Sequence, residues 1–77
     1  MKFTEKNIGQ RVQLKHDDML GFRAGDLGTI KAVDGKHYTV HFDIARDGWE
    51  SESLGIPDLH GLYVDPEDLR KVNKVKG

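Results

Sequence analysis

A chain of 77 residues has room for one domain with one small core, and it holds no cysteine that could form a disulfide or a thiolate metal site. With 36% hydrophobic and 32% charged residues and no long apolar run, we expect one soluble, cytoplasmic domain spanning residues 1–77. The net charge of −1 argues against a strong non-specific binder of nucleic acid.

The chain begins with a predicted helical turn that Thr4 caps and Gly9 ends. This turn is expected to place Ile8 against the core. The first strand follows over residues 11–15, because apolar side chains alternate there with polar ones. Residues 16–26 form an irregular loop, and the apolar groups in it predict that it folds back over the core.

The strongest local signal is a hairpin over residues 30–42. The second strand of this hairpin alternates with a period of two, which predicts that Tyr38, Val40 and Phe42 point inward. Asp34 and Gly35 suit a two-residue turn between the strands. Gly28 precedes the hairpin and indicates either a bulge or a close approach of the backbone.

The longest irregular segment is predicted over residues 43–60, with a short strand around residues 50–54. It is acidic, with five acidic residues and one basic residue, and it contains the only tryptophan, Trp49. A short strand is expected over residues 61–64. A 3-10 turn with Asp65 as its cap and Pro66 at its first position then leads into the last strand.

These elements predict an all-β domain with about five short strands, no long helix and a 3-10 turn before the last strand, which is the plan of a small SH3-like barrel. Its core is expected to span about residues 8–72, followed by a basic tail over residues 73–77. Five segments carry the likeness: 9–14 (GQRVQL), 24–30 (AGDLGTI), 33–35 (VDG), 38–43 (YTVHFD) and 63–72 (YVDPEDLRKV).

On these segments the chain resembles KOW-type SH3-like barrels, and it is similar to the photosystem I subunit barrel and to small bacterial and phage modules. The resemblance implies a binding role with RNA or protein partners. It is compatible with an origin in a phage or another mobile element.

The aromatic residues near the acidic segment are the first candidates for a binding site. Trp and Tyr offer a large apolar area at low entropic cost, which makes them frequent anchors of interfaces. We therefore expect a protein partner, or a larger complex, to bind through the 43–60 loop. The candidate residues are Phe22, Trp49, Glu50, His60 and Tyr63. The alternative for Trp49 is that it folds back and covers one end of the core.

Both ends of the chain are basic, and this favours a second candidate site for nucleic acid. If the first and last strands lie side by side, their basic residues share one surface that suits phosphates. The candidate residues are Lys6, Arg11, Lys15, Arg70, Lys71 and Lys74.

Catalytic and metal sites are not predicted. His37 and His41 lie about 13 Å apart along one strand, which is too far for a single zinc ion. The sequence has no nucleophile elbow and no phosphate-binding loop. We therefore expect a protein that is not an enzyme and has no cofactor. The sequence leaves the oligomeric state open.

Overall fold

The computed structural model describes residues 7–18, 20–34 and 37–72, and its architecture is all-β, as predicted. Six strands form a single antiparallel sheet in the order β4-β5-β3-β2-β1-β6, so β4 and β6 lie at its two edges. A short 3-10 helix precedes the last strand, as predicted. The strands are β1 (Arg11–Leu14), β2 (Leu27–Asp34), β3 (His37–Phe42), β4 (Trp49–Ser51), β5 (Ile56–Val64) and β6 (Leu69–Lys71), and the 3-10 helix is Pro66–Asp68.

The core lies on one face of the sheet and is closed by a residue from outside the strands. Alternate residues of β1, β3 and β5 are buried in it, as the period of two predicted. Phe22, from the segment between β1 and β2, is fully buried and packs against Phe42 with their ring centroids 4.5 Å apart. The core residues are Val12, Leu14, Phe22, Ile30, Tyr38, Val40, Phe42, Leu62, Val64 and Leu69.

The β2–β3 hairpin is confirmed, but one of its two predicted turn residues lies in a strand, and the other, Gly35, lies outside the described residues. Asp34 pairs with His37, so Asp34 is the last residue of β2 and not a turn residue. At Gly28 the structure shows a close approach, since a Cβ atom there would lie 2.7 Å from Cγ1 of Val40. The bulge itself falls later, between Ile30 and Ala32, where the register of the pair shifts.

The prediction of one long irregular loop over residues 43–60 is wrong, and the sheet has six strands where about five were expected. The short strand predicted around residues 50–54 is present as β4, over residues 49–51. After a loop over residues 43–48 the chain forms a second hairpin, in which β4 pairs with the nine-residue β5. Its turn contains Gly55 at a φ of 70°, a left-handed conformation that glycine adopts without strain. A register shift in this hairpin accompanies Leu59, which has the unusual φ of 71°.

Two details at the ends of the chain also differ from prediction. Ile8 is 51% exposed and does not cover the core. Asp65 precedes the 3-10 helix but its side chain makes no capping hydrogen bond, although Pro66 does occupy the first turn. Gly9 has a φ of 93°, in keeping with the predicted end of a turn. Thr4 and the tail over residues 73–77 lie outside the described residues.

Within those described ranges, no helix combines the length and the apolar character that crossing a bilayer requires.

Candidate functional site

An aromatic pair stands on the face of the sheet opposite the core. The rings of Trp49 and Tyr63 lie 4.7 Å apart between centroids and are inclined by 39°. Tyr63 alternates along β5 with the buried Leu62 and Val64, so its side chain points outward, and it is 58% exposed. Trp49 is half-buried. We call this pair the Trp49–Tyr63 surface.

The absence of a side chain at Gly61 allows the indole to lie against β5. Gly61 pairs with Trp49, and a Cβ atom at Gly61 would lie 3.0 Å from Cε3 and 3.1 Å from Cδ2 of the indole. Trp49 is neither a member of the core cluster nor one of the partly buried residues packed against it. The indole therefore covers the outside of the sheet and does not cover the core.

The other three residues predicted for the protein site lie elsewhere. Phe22 is fully buried, so its ring is unavailable to a partner and its assignment to the site is wrong. Glu50 is exposed and follows Trp49 in β4. His60 faces His41, with ring centroids 5.5 Å apart, and its Nδ1 donates a hydrogen bond of 2.6 Å to the carbonyl oxygen of Phe42.

A cleft borders Tyr63 at the end of the sheet where β1 and β5 end and β3 begins. Its volume is about 210 Å³, and a neighbouring recess of about 170 Å³ shares Tyr63 and His37 with it. The rings of these two residues lie 6.4 Å apart, edge to face. The cleft is lined by Leu14, His16, Asp17, Asp18, His37, Tyr63, Val64, Asp65 and Asp68, and the recess by Asp34, His37 and Tyr63. We call the two together the Tyr63 cleft.

Sequence reasoning missed most of the Tyr63 cleft. Two histidines approach carboxylates there: Nε2 of His37 lies 3.6 Å from Oδ1 of Asp65, and Nε2 of His16 lies 4.0 Å from Oδ1 of Asp68. The available signal was the position of these residues at the ends of predicted strands, since strand ends gather at the ends of a sheet.

The basic residues of the predicted nucleic-acid site are only partly brought together. As expected, β1 and β6 are neighbours, and Arg70 lies opposite Gln13. Lys15, Arg70 and Lys71 are exposed. The guanidinium of Arg11, however, is held by Asp43 through hydrogen bonds of 2.8 and 2.6 Å. Two of the predicted residues, Lys6 and Lys74, lie outside the described residues.

The ion pair of Arg11 and Asp43 lies beside the pair of histidines. Hydrogen bonding from Arg11 lowers the pKa of Asp43 below its usual value. The pKa of His41 is also lowered, chiefly by burial and further by the charges of His60 and Lys31, which outweigh the opposing charge of Asp43. The folded protein therefore favours a neutral His41.

A loss of stability on mild acidification follows from this low pKa. Unfolded His41 titrates near pH 6.5, above its folded pKa, so the unfolded chain binds more protons as the pH falls. We expect the free energy of unfolding, measured in urea between pH 7.5 and 5, to decrease with falling pH, and less steeply in His41→Gln. The control Leu20→Ala changes an exposed side chain that does not titrate and should keep the wild-type slope. Equal slopes in wild type and His41→Gln would contradict the lowered pKa of His41.

Across the part of the chain that the structure describes, no three acidic or histidine side chains are placed so that they could hold a metal ion. Comparison with protein-family models gave no match, and comparisons with curated proteins and with solved structures gave no significant match. Function must therefore be inferred from the residues of this chain.

Proposed function

We propose that this chain is a non-catalytic binding module of the SH3-like type that holds a protein partner through the Trp49–Tyr63 surface. The observation that carries the proposal is the exposed Tyr63 ring, supported from behind by Trp49 on the face that the core does not use. Aromatic side chains held in this way are enriched among the residues that dominate binding energies.

Three features of the fold support the SH3-like assignment. The sheet is antiparallel, and its first three strands pair consecutively. The last strand returns to pair with the first. A single 3-10 helix leads into that last strand.

With no cysteine in the sequence, we also propose that the protein acts in a reducing compartment such as the cytoplasm.

This proposal moves the predicted site from an irregular loop to the surface of a sheet. Trp49 belongs to β4 and Tyr63 to β5, and both strands have backbone partners that fix their positions. A preordered pair of this kind loses little conformational freedom on binding, which favours affinity.

The test is a site-specific cross-linking experiment in an extract of the source cells. A photoreactive phenylalanine analogue at position 63 is expected to trap a discrete partner protein. The same analogue at Ile44, which is also exposed but lies in the 43–48 loop, should not trap that protein. If position 44 traps it and position 63 does not, the partner binds the loop and not the sheet.

Substitution of the aromatic pair should release the trapped partner. We expect Trp49→Ala or Tyr63→Ala to weaken binding by about 2 kcal/mol, roughly thirtyfold, because anchors of this type contribute on that scale. The measurement is the affinity of the purified pair by calorimetry, with Ile44→Ala as the control. If both variants keep their fold in amide NMR and bind the partner with unchanged affinity, the Trp49–Tyr63 surface is not the binding site.

A second candidate function is nucleic-acid binding through β1 and β6, as the KOW resemblance implies. It is favoured by the observed pairing of these strands, which places the exposed Lys15 and Arg70 on neighbouring segments. The engagement of Arg11 with Asp43 counts against it. Oligonucleotide binding that weakens steeply with salt and is reduced in Arg70→Ala would establish this function.

A further inference from the structure

We propose that the Tyr63 cleft receives an arginine side chain from a basic segment of the partner protein. This inference rests on the proposed function, because it assigns a chemistry to a partner that binds beside the Trp49–Tyr63 surface. The cleft and the surface are continuous, since Tyr63 belongs to both.

The lining of the Tyr63 cleft is acidic. Five aspartates contribute to the Tyr63 cleft, and among the described residues that line it there is no lysine or arginine. Among the described residues of the lining, the other titratable groups are the imidazoles of His16 and His37 and the phenol of Tyr63. A cleft with carboxylates on its walls attracts cations and rejects anionic partners. The five are Asp17, Asp18, Asp34, Asp65 and Asp68.

The exposed aromatic ring of Tyr63 forms part of the wall of the cleft. A guanidinium that lies over the face of a tyrosine gains a cation–π contact, and arginine makes this contact more often than lysine. Tyr63 is the most exposed large hydrophobic residue of those the structure describes, and its ring is held by Trp49 on one side. The ring therefore favours an arginine over a lysine side chain in this cleft.

The Tyr63 cleft is divided into two small spaces. Their volumes of about 210 and 170 Å³ are each below the roughly 300 Å³ at which pockets for whole small molecules begin, so each space suits one side chain. Asp17 and Asp18 each use one oxygen to accept a backbone N–H, from Ala24 and Leu20 respectively. Because no three acidic or histidine side chains among the described residues are placed to hold one metal ion, the free carboxylate oxygens suit the several donors of a planar guanidinium better than a compact metal ion.

The probe is a blocked pentapeptide with two arginines among three glycines, titrated into the full chain and followed by two-dimensional amide NMR. We expect shifts concentrated at Tyr63, His37 and Asp65. The control peptide carries citrulline in place of each arginine, which keeps the shape and removes the charge. It should bind at least about tenfold more weakly, as expected when charge-assisted hydrogen bonds are lost.

Variants separate the contributions of the ring and the carboxylates. Tyr63→Leu should weaken peptide binding about three- to fivefold while Tyr63→Phe keeps it, because both Tyr and Phe present an aromatic face. Asp65→Asn should weaken binding about tenfold. Asp58→Asn is the matched control, since Asp58 is equally exposed in β5 and does not line the cleft.

The outcomes distinguish this inference from the proposed function. Equal binding of the arginine and citrulline peptides, or shifts located away from the cleft, would overturn the arginine assignment. If that happens while Tyr63→Ala still releases the cross-linked partner, the partner binds the aromatic surface by other chemistry and the proposed function stands. If the arginine peptide binds the cleft as expected but neither aromatic variant releases the partner, the cleft has its assigned chemistry and the proposed function fails.

Discussion

Replacing Phe22 with alanine is expected to destabilise the domain by about 3–5 kcal/mol, the usual cost of removing a buried phenylalanine. Small domains have free energies of unfolding at the lower end of about 5–15 kcal/mol, so this variant will be close to unfolded at ambient temperature. Phe22 is fully buried and its ring packs directly on Phe42. No strand of the sheet contains Phe22, so the loss would also free the segment between β1 and β2 from the core.

Thermal unfolding followed by circular dichroism measures this effect. A loss of 3 kcal/mol corresponds to a decrease in Tm of roughly 12 °C or more for a domain of this size. Leu20→Ala is the control, because Leu20 belongs to the same segment and is 37% exposed. If both variants melt within a few degrees of the wild type, Phe22 is not the core residue that the structure shows.

Phe22 also shows where sequence reasoning stops. The inward residues of β1 and β3 were predictable because a strand alternates with a period of two, and Val12 and Val40 are fully buried as expected. A residue in an irregular segment has no such period. The apolar groups of residues 16–26 correctly predicted that this loop folds back over the core, but they did not indicate that Phe22 would be the side chain buried and Leu20 the one exposed.

The second hairpin was missed for a related reason. Pro57 and two glycines interrupt the apolar pattern of residues 55–61, and such residues are normally read as signs of a loop. In the structure Leu59 has a left-handed backbone conformation, and the register between β4 and β5 shifts. The strand therefore continues, although its buried and exposed side chains no longer alternate. A bulge of this kind leaves no clear period in the sequence.

The two aromatic residues of the candidate site could be predicted from the sequence, but the contact between them could not. Trp49 and Tyr63 stood out by their residue type, but their contact depends on the pairing of Trp49 with Gly61, which the bulged register sets. The Tyr63 cleft depends in addition on where three strands end. The 3-10 turn that brings Asp65 and Asp68 to it was predicted correctly, from Pro66 and the acidic residues around it.

Substituting Gly48 is expected to destabilise the domain, because the space around this residue is filled. A Cβ atom at Gly48 would collide with the carbonyl oxygen of Gly61 and would lie 3.0 Å from both the carbonyl oxygen of Leu59 and Cζ of Phe22. Two of these three atoms belong to the backbone of β5 and cannot move aside without separating the strands. We therefore expect Gly48→Ala to cost about 2–3 kcal/mol, in the range of overpacked interiors, as measured by urea unfolding.

Gly55→Ala is the matched control for Gly48→Ala, because alanine at position 55 meets an unfavourable backbone conformation but no steric clash. Gly55 has a φ of 70° and nothing within 4 Å of its Cβ position, so alanine there should cost only about 1–2 kcal/mol. Both substitutions reduce the freedom of the unfolded chain equally, so that contribution cancels between them. A smaller loss in Gly48→Ala than in Gly55→Ala would contradict the close contact between Gly48 and β5. The expected larger loss would show that the approach of β4 to β5, which also brings Trp49 onto Tyr63, depends on a residue without a side chain.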